Sequence, residues 1–361
     1  MKTITVNLPC KSYPVIIGTD IISHLGKFLR KLQIGNDAYI ITNTLIKNKY
    51  GPLIAETLRK ENFTVKFTCV SDTEKSKSLE IAARILNDLA FYDKKRSVFI
   101  TALGGGVIGD LSGFIASIYK RGVPYINIPT TLLAQVDSSI GGKTAVDLES
   151  GKNLVGSFYQ PRLVWSDIRF LSSLDKRQIS AGLAEVVKYA IIGDLGLFHY
   201  LERNCLKILA RDKSSLEFII KQCSSIKARI IERDEFETKG IRTILNFGHT
   251  IGHAIEAAAH FSGYNHGEAI ALGMLVACEI SNALGLLAAD PVKKIERLIG
   301  AAGLPTRIKN IAIGDILKTH YRDKKFTGSR NKFVLIKAIG KTVIKQDIPL
   351  EVIKQALQKR S

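Results

Sequence analysis

Paired cysteines are missing from this chain. Its five cysteines (Cys10, Cys69, Cys205, Cys223 and Cys278) are odd in number, widely spaced and form no C-x-x-C pair. That excludes a thiolate metal centre and argues against a disulfide framework. Reduced, mostly buried thiols in a cytoplasmic protein are therefore expected. Long apolar runs are missing too. None reaches the ~18 residues of a membrane span, and the nearest, AIALGMLVACEI at 269–280, is interrupted by Glu279 and reads as a buried helix. The first residues, MKTITVNLPC, lack the apolar core and cleavage pattern of a signal peptide. There is no internal repeat and no low-complexity segment.

Acidic residues are scarce: 33 Asp and Glu stand against 52 Lys and Arg, a net charge of +19. The excess is scattered rather than gathered into a stripe. Its densest patches, DKKR at 93–96 and RDKKF at 322–326, are short. No zinc-finger, RNA-recognition or basic-zipper pattern accompanies them, which argues against a nucleic-acid partner. Attraction of an anionic substrate is the simpler account.

What is present is an ordinary globular composition, 46% hydrophobic and 24% charged, in a chain of 361 residues, long enough for two cores. Up to about residue 170, short runs such as ITVNL, YPVIIG, AYIIT, TVKFTCV, SVFITAL and YINIP alternate with helical patterns such as TLIKNKYGPLIAETLRK and SLEIAARILNDLAFYD. Strands alternating with helices predict a mainly parallel sheet covered on its faces. From about Gln178 the pattern turns helical, apart from KFVLIKAI near the end, read as a hairpin element. The expected organisation is an α/β domain over 1–175 and a mostly helical domain over 176–361, divided at SSLDKRQ.

SVFITAL leads straight into GGGVIGD, where Gly104, Gly106 and Gly109 match G-x-G-x-x-G ahead of a helix. Such glycines let the backbone approach a pyrophosphate at a helix N-terminus. A tight strand-to-helix turn explains the same residues, so the motif alone leaves both readings open. It also follows about the fifth strand rather than the first, where the dinucleotide fingerprint normally sits. The stretch PTTLLAQVDSSIGGKTAVD at 129–147 reads as a long polar loop presenting Thr130, Thr131, Asp137 and Lys143, with Lys152 and Asn153 following in GKN.

LNFGHTIGHAIE places His249, His253 and Glu256 on one helix face, with His266 nearby in YNHGEA. Imidazoles and a carboxylate converging on one spot suit a divalent metal such as zinc. A solvated polar face, continued by His260, is the alternative. Glu185 lies in the apolar helix QISAGLAEVVKYAII, where an ionised carboxylate needs a metal or a partner such as Lys188.

These motifs together carry a resemblance. GGGVIGDLSGF, KRGVPYINIPTTLLAQVDSSIGGKTAVD, GKNLVGSFYQP, SAGLAEVVKYAII, GIRTILNFGHTIGHAIE and NHGEAIALGM are similar, over nearly the whole chain, to the 3-dehydroquinate synthase family of sugar phosphate cyclases. The resemblance implies a Rossmann-like α/β domain that binds NAD, a mostly α-helical domain, and an active site in the cleft between them. It also implies a homodimer with a small anionic sugar phosphate as substrate, and neither nucleic acid nor membrane as partner. The implied metal is Zn2+, with Co2+ as a substitute, held by Glu185, His249 and His266, which leaves His253 facing substrate.

The implied reaction converts 3-deoxy-D-arabino-heptulosonate 7-phosphate to 3-dehydroquinate and phosphate by transient oxidation, elimination, reduction and aldol closure. Lys143, Asn153, Lys227 and Lys324 are implied at the carboxylate and hydroxyl groups, and Arg242, Asn246 and His253 at the phosphate. Arg121 reaches in from a neighbouring subunit, and Asp137 and Lys188 line the hydroxyl side. The implied NAD contacts are Asp72, Glu74, Lys77, Gly105, Gly106, Val107, Ile108, Gly109, Asp110, Thr130, Thr131, Lys143, Lys152, Phe170, Leu171, Ser172 and Ser173. Asn43 stands where some members carry an acid for the adenosine ribose. The rival readings are a sister cyclase for uncarboxylated sugars and a metal-dependent polyol dehydrogenase, which offers an Asp as first ligand.

Overall fold

Residues 1–9, 11–94, 97–259, 263–327 and 331–361 are described in this computed structural model, without the side chains of 322–327. Cys10, part of the basic patch at 93–96, His260 and the side chain of Lys324 therefore lie outside the described residues. The chain forms two units, one of Met1–Leu174 with Leu216–Phe236 and the other of Asp175–Ser215 with Glu237–Ser361.

In the first unit the β-branched runs become β1 (Lys2–Val6), β2 (Tyr13–Gly18), β3 (Asp37–Thr42), β4 (Thr64–Cys69), β5 (Val98–Gly104), β6 (Tyr125–Pro129) and β9 (Leu163–Asp167), one sheet in the order β1-β2-β9-β6-β5-β3-β4. Every pairing is parallel except β1 with β2 at the edge. The helices between them are α1 (Leu25–Leu32), α2 (Thr44–Arg59), α3 (Leu79–Tyr92) and α4 (Gly106–Ile118). Successive side chains of a strand point to opposite faces, and β3 uses both. Ala38 and Ile40 pack with Leu29 and Leu58 of α1 and α2. Tyr39 and Ile41 pack with Ile85 and Leu111 of α3 and α4. Helices on both faces explain why these strands read as continuous apolar runs.

The long loop expected over 129–147 is not a loop throughout. After β6 the chain makes a single π-helical turn at Ala134–Ser138 and then enters β7 (Lys143–Leu148), paired antiparallel with β8 (Gly151–Phe158). Gly141 and Gly142, at φ 99° and 67°, make the turn into the hairpin. The polar composition of this stretch hides the strand, because half of its residues face away from the core.

The remaining elements are α5 (Lys176–Gly193), α6 (Leu195–Leu209), α7 (Lys213–Arg233), α8 (His249–Ala258), α9 (His266–Ala283), α10 (Ala289–Ala301), α11 (Ile313–Thr327), β10 (Lys332–Ala338), β11 (Lys341–Gln346) and α12 (Leu350–Gln358). β10 and β11 form the expected C-terminal hairpin. Most of α7 packs with the first unit, although it lies inside the 176–361 segment. α9 is the axis of the second unit: fourteen of its residues are buried, and α5, α8, α10, α12 and β10 pack on it. A helix apolar on all sides belongs in such a place. Glu279, the one charge in that run, meets Arg360 and Lys359 near the end of the chain, and Arg360 also reaches Glu296 at 2.7 Å. Paired in this way, the buried carboxylate avoids the cost of an isolated charge. Among the described residues, no helix is long and apolar enough to cross a membrane.

Candidate functional site

In the first unit, β3 has β4 on one side and β5 on the other. The direction of winding reverses between β3 and β5, and ligands of open α/β sheets bind at such a switch point, beyond the carboxyl ends of the strands. This resolves the position of the glycine loop. Its strand is fifth in sequence but sits beside the switch.

The loop itself is built for close approach. Gly105 caps α4 without any side-chain bond, so the first backbone N–H groups of the helix face outward. A Cβ on Gly105 would stand 3.2 Å from Thr131, and one on Gly106 would stand 3.3 Å from the Ser138 hydroxyl. The Thr130 amide donates to the Gly104 carbonyl at 2.9 Å, and the Thr131 hydroxyl accepts from the Ala134 amide at 3.1 Å. An uncapped helix N-terminus in a cradle without side chains fits a dinucleotide pyrophosphate.

Beside this cradle lies an ion cluster. Lys77, 4% exposed, meets Asp110 at 2.8 Å and Glu74 at 3.5 Å, and Lys152 approaches the same Glu74 at 3.9 Å. Burial works against the Lys77 ammonium, but Asp110 and then Glu74 outweigh it and keep it charged. Lys77 also donates to the side-chain oxygen of Asn153, whose backbone φ is 57°. Asn153, implied at the substrate carboxylate, is thus held beside Lys77. Asp72 follows β4 and lies beside Asn43, the cap of α2. Asp137 rides on the π-helical turn, and Lys227 of α7 donates to both its carbonyl and its carboxylate at 2.7 Å. Lys143 is exposed at the start of β7.

Three of the implied nucleotide contacts have buried side chains. Ile108, Phe170 and Leu171 are buried, and the Phe170 ring packs edge-on against Tyr50 with centroids 4.8 Å apart. Only Ser172 and Ser173 of the 170–173 turn reach the surface. Arg121 is exposed at the far end of α4, about 20 Å of helix from Gly106 at ~1.5 Å per residue. Its own glycine loop is therefore not its partner. Lys120 and Arg121 both hold left-handed backbone, at φ 49° and 66°.

The second unit assembles the metal candidates. Glu185 and Lys188 face each other as an ion pair on α5, both almost fully buried. His249 opens α8 and His266 opens α9, and their Nε2 atoms stand 3.6 and 3.8 Å from Glu185 Oε1. One donor atom from each of these three side chains lies within 4.8 Å of the other two. Two imidazoles and a carboxylate so arranged fit the three-ligand set of a catalytic zinc, with a coordination position left over.

The helices hold this triangle by close packing. A Cβ on Gly273 would stand 2.0 Å from the Gly248 carbonyl, and one on Gly267 would stand 2.3 Å from the Ala181 carbonyl. Glycines at those crossings thus set α8 and α5 directly against α9. The start of α9 is pinned by a reciprocal cap between Asn265 and Glu268, with Arg177 gripping Glu268 through two bonds of 2.7 Å. The N-x-x-E spacing of that cap is readable in the sequence.

Electrostatics separate the two histidines. Burial holds the His249 imidazole well below its ordinary value, the Lys188 ammonium adds to this, and its Nδ1 faces the Phe247 carbonyl at 3.2 Å. A neutral ring with Nδ1–H leaves a lone pair on Nε2 toward Glu185. Burial also disfavours charge on His266, but the carboxylates of Glu185 and Glu256 hold it up at about 9. A metal at this ring must displace that proton. His253 is exposed, its ring 5.3 Å from that of His249, while Arg242 is buried on the turn Arg242–Asn246. Glu256, placed by the sequence on the same helix face as His249 and His253, stands 3.5 Å from His266 Nδ1, on the side of the ring away from Glu185.

Family profiles described as 3-dehydroquinate synthase N-terminal and C-terminal match residues 67–181 and 182–326. A 3-dehydroquinate synthase of Desulforamulus reducens is 44% identical over 96% of this chain and 97% of its own. That of Thermodesulfovibrio yellowstonii is 43% identical over 99% of both. Among solved structures, 2-deoxy-scyllo-inosose synthase, complexed with carbaglucose-6-phosphate, NAD+ and Co2+, superposes with a TM-score of 0.91 at 27% identity over the full length of both chains. The fold is also that of a 2-epi-5-epi-valiolone synthase from Streptomyces hygroscopicus, with a TM-score of 0.88 at 24% identity over 98% of both chains. Full-length identity above 40% and consecutive matches to both halves show that the chain belongs to the 3-dehydroquinate synthase family.

Proposed function

We propose that this enzyme converts 3-deoxy-D-arabino-heptulosonate 7-phosphate to 3-dehydroquinate and phosphate, as a phosphate-eliminating carbon–oxygen lyase with NAD and Zn2+ or Co2+ as cofactors. The observation that carries the reading is the buried Glu185 facing the Nε2 atoms of His249 and His266 within a chain so similar to these synthases. An Asp-first polyol dehydrogenase set is not what α5 offers. Bound NAD supplies reversible oxidation at one substrate carbon, and the bound metal supplies Lewis-acid polarisation of the adjacent oxygens.

The chain's own residues do the rest. Glu185, His249 and His266 hold the metal, and Lys188 places an ammonium beside it for a substrate hydroxyl. Arg242, Asn246 and His253 receive the phosphate, Arg through a planar fork and His through a ring nitrogen. Lys143 and Lys227 receive the carboxylate and hydroxyls, Lys324 is assigned the same role from the resemblance, and the bond from Lys227 fixes Asp137 for the same task. Gly105–Asp110, Thr130 and Thr131 receive the pyrophosphate, with Asp72, Glu74, Lys77 and Lys152 on the nucleotide side. Asn153 is assigned there too, because of its bond to Lys77. A homodimer and a cytoplasmic location complete the reading; the exposed, left-handed Arg121 supports a role on a neighbouring subunit.

A sister cyclase is the nearest rival, because a solved relative at 27% identity is a 2-deoxy-scyllo-inosose synthase complexed with carbaglucose-6-phosphate. Purified protein with NAD and zinc is expected to release phosphate from the carboxylated heptulosonate phosphate and not from sedoheptulose 7-phosphate. The reverse preference overturns the substrate assignment.

A further inference from the structure

His266 is flanked by two carboxylates. Its Nε2 is 3.8 Å from Glu185 Oε1 and its Nδ1 is 3.5 Å from Glu256 Oε1. A neutral imidazole has one donor and one acceptor nitrogen, and the group facing one nitrogen decides the role of the other. A carboxylate at Nδ1 holds the proton there and leaves the Nε2 lone pair toward Glu185. Glu256 is 9% exposed and lies one helical turn beyond His253 on α8, while His266 is the first residue of α9. The two meet because Gly248, Gly252 and Gly273 bring α8 against α9 with no room for a Cβ between them. His249, the other ring of the triangle, has a neutral backbone carbonyl in the same place. The two histidines therefore share a tautomer, but only His266 has a charged partner behind it.

We propose that Glu256 is a positioning residue that fixes the tautomer and orientation of His266 as a metal ligand. The inference rests on Glu185, His249 and His266 being the metal-binding set. The same atoms permit a rival arrangement, because His253, Glu256 and His266 also bring one donor atom each within 4.8 Å. In that arrangement Glu256 is itself a ligand of a second cation, and His266 is drawn away from Glu185. Positioning is favoured by the ring's orientation: one ring cannot give the same nitrogen to both groups, and Nε2 is the atom turned to the buried Glu185.

The test is a Co2+ titration of metal-free protein, followed by visible absorption, for the unsubstituted chain, Glu256→Ala, Glu256→Gln and His249→Ala. The unsubstituted chain should bind one cobalt. Glu256→Ala should bind it roughly 10- to 100-fold more weakly, the usual cost of losing a carboxylate behind a ligating histidine, with altered absorption bands. Glu256→Gln keeps an acceptor oxygen without the charge and should fall between the two.

Cobalt affinity and bands unchanged in Glu256→Ala overturn the proposal. So does a second cobalt in the unsubstituted chain that Glu256→Ala alone removes. Equal weakening in both Glu256 variants, with a lowered unfolding midpoint of the metal-free protein, overturns it in favour of a packing role. If the unsubstituted chain binds no cobalt, or His249→Ala binds it as tightly, the metal-binding set itself is wrong and the positioning role falls with it.

Discussion

His249→Ala should leave a folded protein that neither retains metal nor turns over. Of the two histidines proposed as ligands, His249 meets the less competition from protons, because burial and Lys188 keep its ring neutral and the Phe247 carbonyl keeps its tautomer. Loss of a group behind a ligand already costs roughly 10- to 100-fold in affinity, so loss of the ligand itself should exceed about 100-fold. Lewis-acid catalysis is worth several kcal/mol, so turnover should fall roughly a thousand-fold at ~1.4 kcal/mol per decade. Metal analysis after dialysis, together with an activity assay, checks both. NAD binding should survive, because the glycine cradle belongs to the other unit. Zinc retained at full occupancy in this variant would remove His249 from the ligand set.

Gly273→Ala should have the largest effect on stability. The added carbon would stand 2.0 Å from the Gly248 carbonyl and 2.7 Å from the Gly252 amide, both backbone atoms that cannot swing aside. α8 must then move off α9, carrying His249 and Glu256 away from His266. Overpacking of this kind costs about 3 kcal/mol, which corresponds to roughly 6–12 °C in unfolding midpoint for a unit of this size. Metal affinity should fall together with stability, since one displacement causes both. Gly285→Ala is the control: its φ is 67°, but nothing stands within 4 Å, so strain without collision should leave metal binding intact. Calorimetry and cobalt titration of the two variants separate these outcomes.

How much of this was legible in the sequence depended on how local each feature is. The glycine cradle was legible because strand, turn and helix N-terminus follow one another within a dozen residues. Its setting beside the switch point was not, because strand order depends on which strands pair across the whole unit. His249 and His253 were legible as a pair on one helix, with His266 nearby at the start of the next. Glu185 showed only as a charge in an apolar helix, sixty-odd residues earlier in the chain. Glu256 was placed on the right face by helical periodicity, but its partner depends on how α8 crosses α9, which three glycines decide. The β7–β8 hairpin hides in its polar composition, and the burial of Phe170 depends on a partner, Tyr50, far away in the chain. The return of Leu216–Phe236 to the first unit has no sequence signal, because α7 is one uninterrupted periodic helix.

The central claim is that NAD is used and restored within each turnover, so that elimination of phosphate and ring closure proceed without net oxidation. The most direct measurement follows phosphate release and absorbance at the NADH band together, with substrate in large excess over enzyme and free NAD present. The account predicts many equivalents of phosphate and carbocyclic product per enzyme, with NADH never exceeding the enzyme concentration. NADH rising in step with substrate consumed, with the phosphate left on the sugar, would contradict it and make the chain a dehydrogenase.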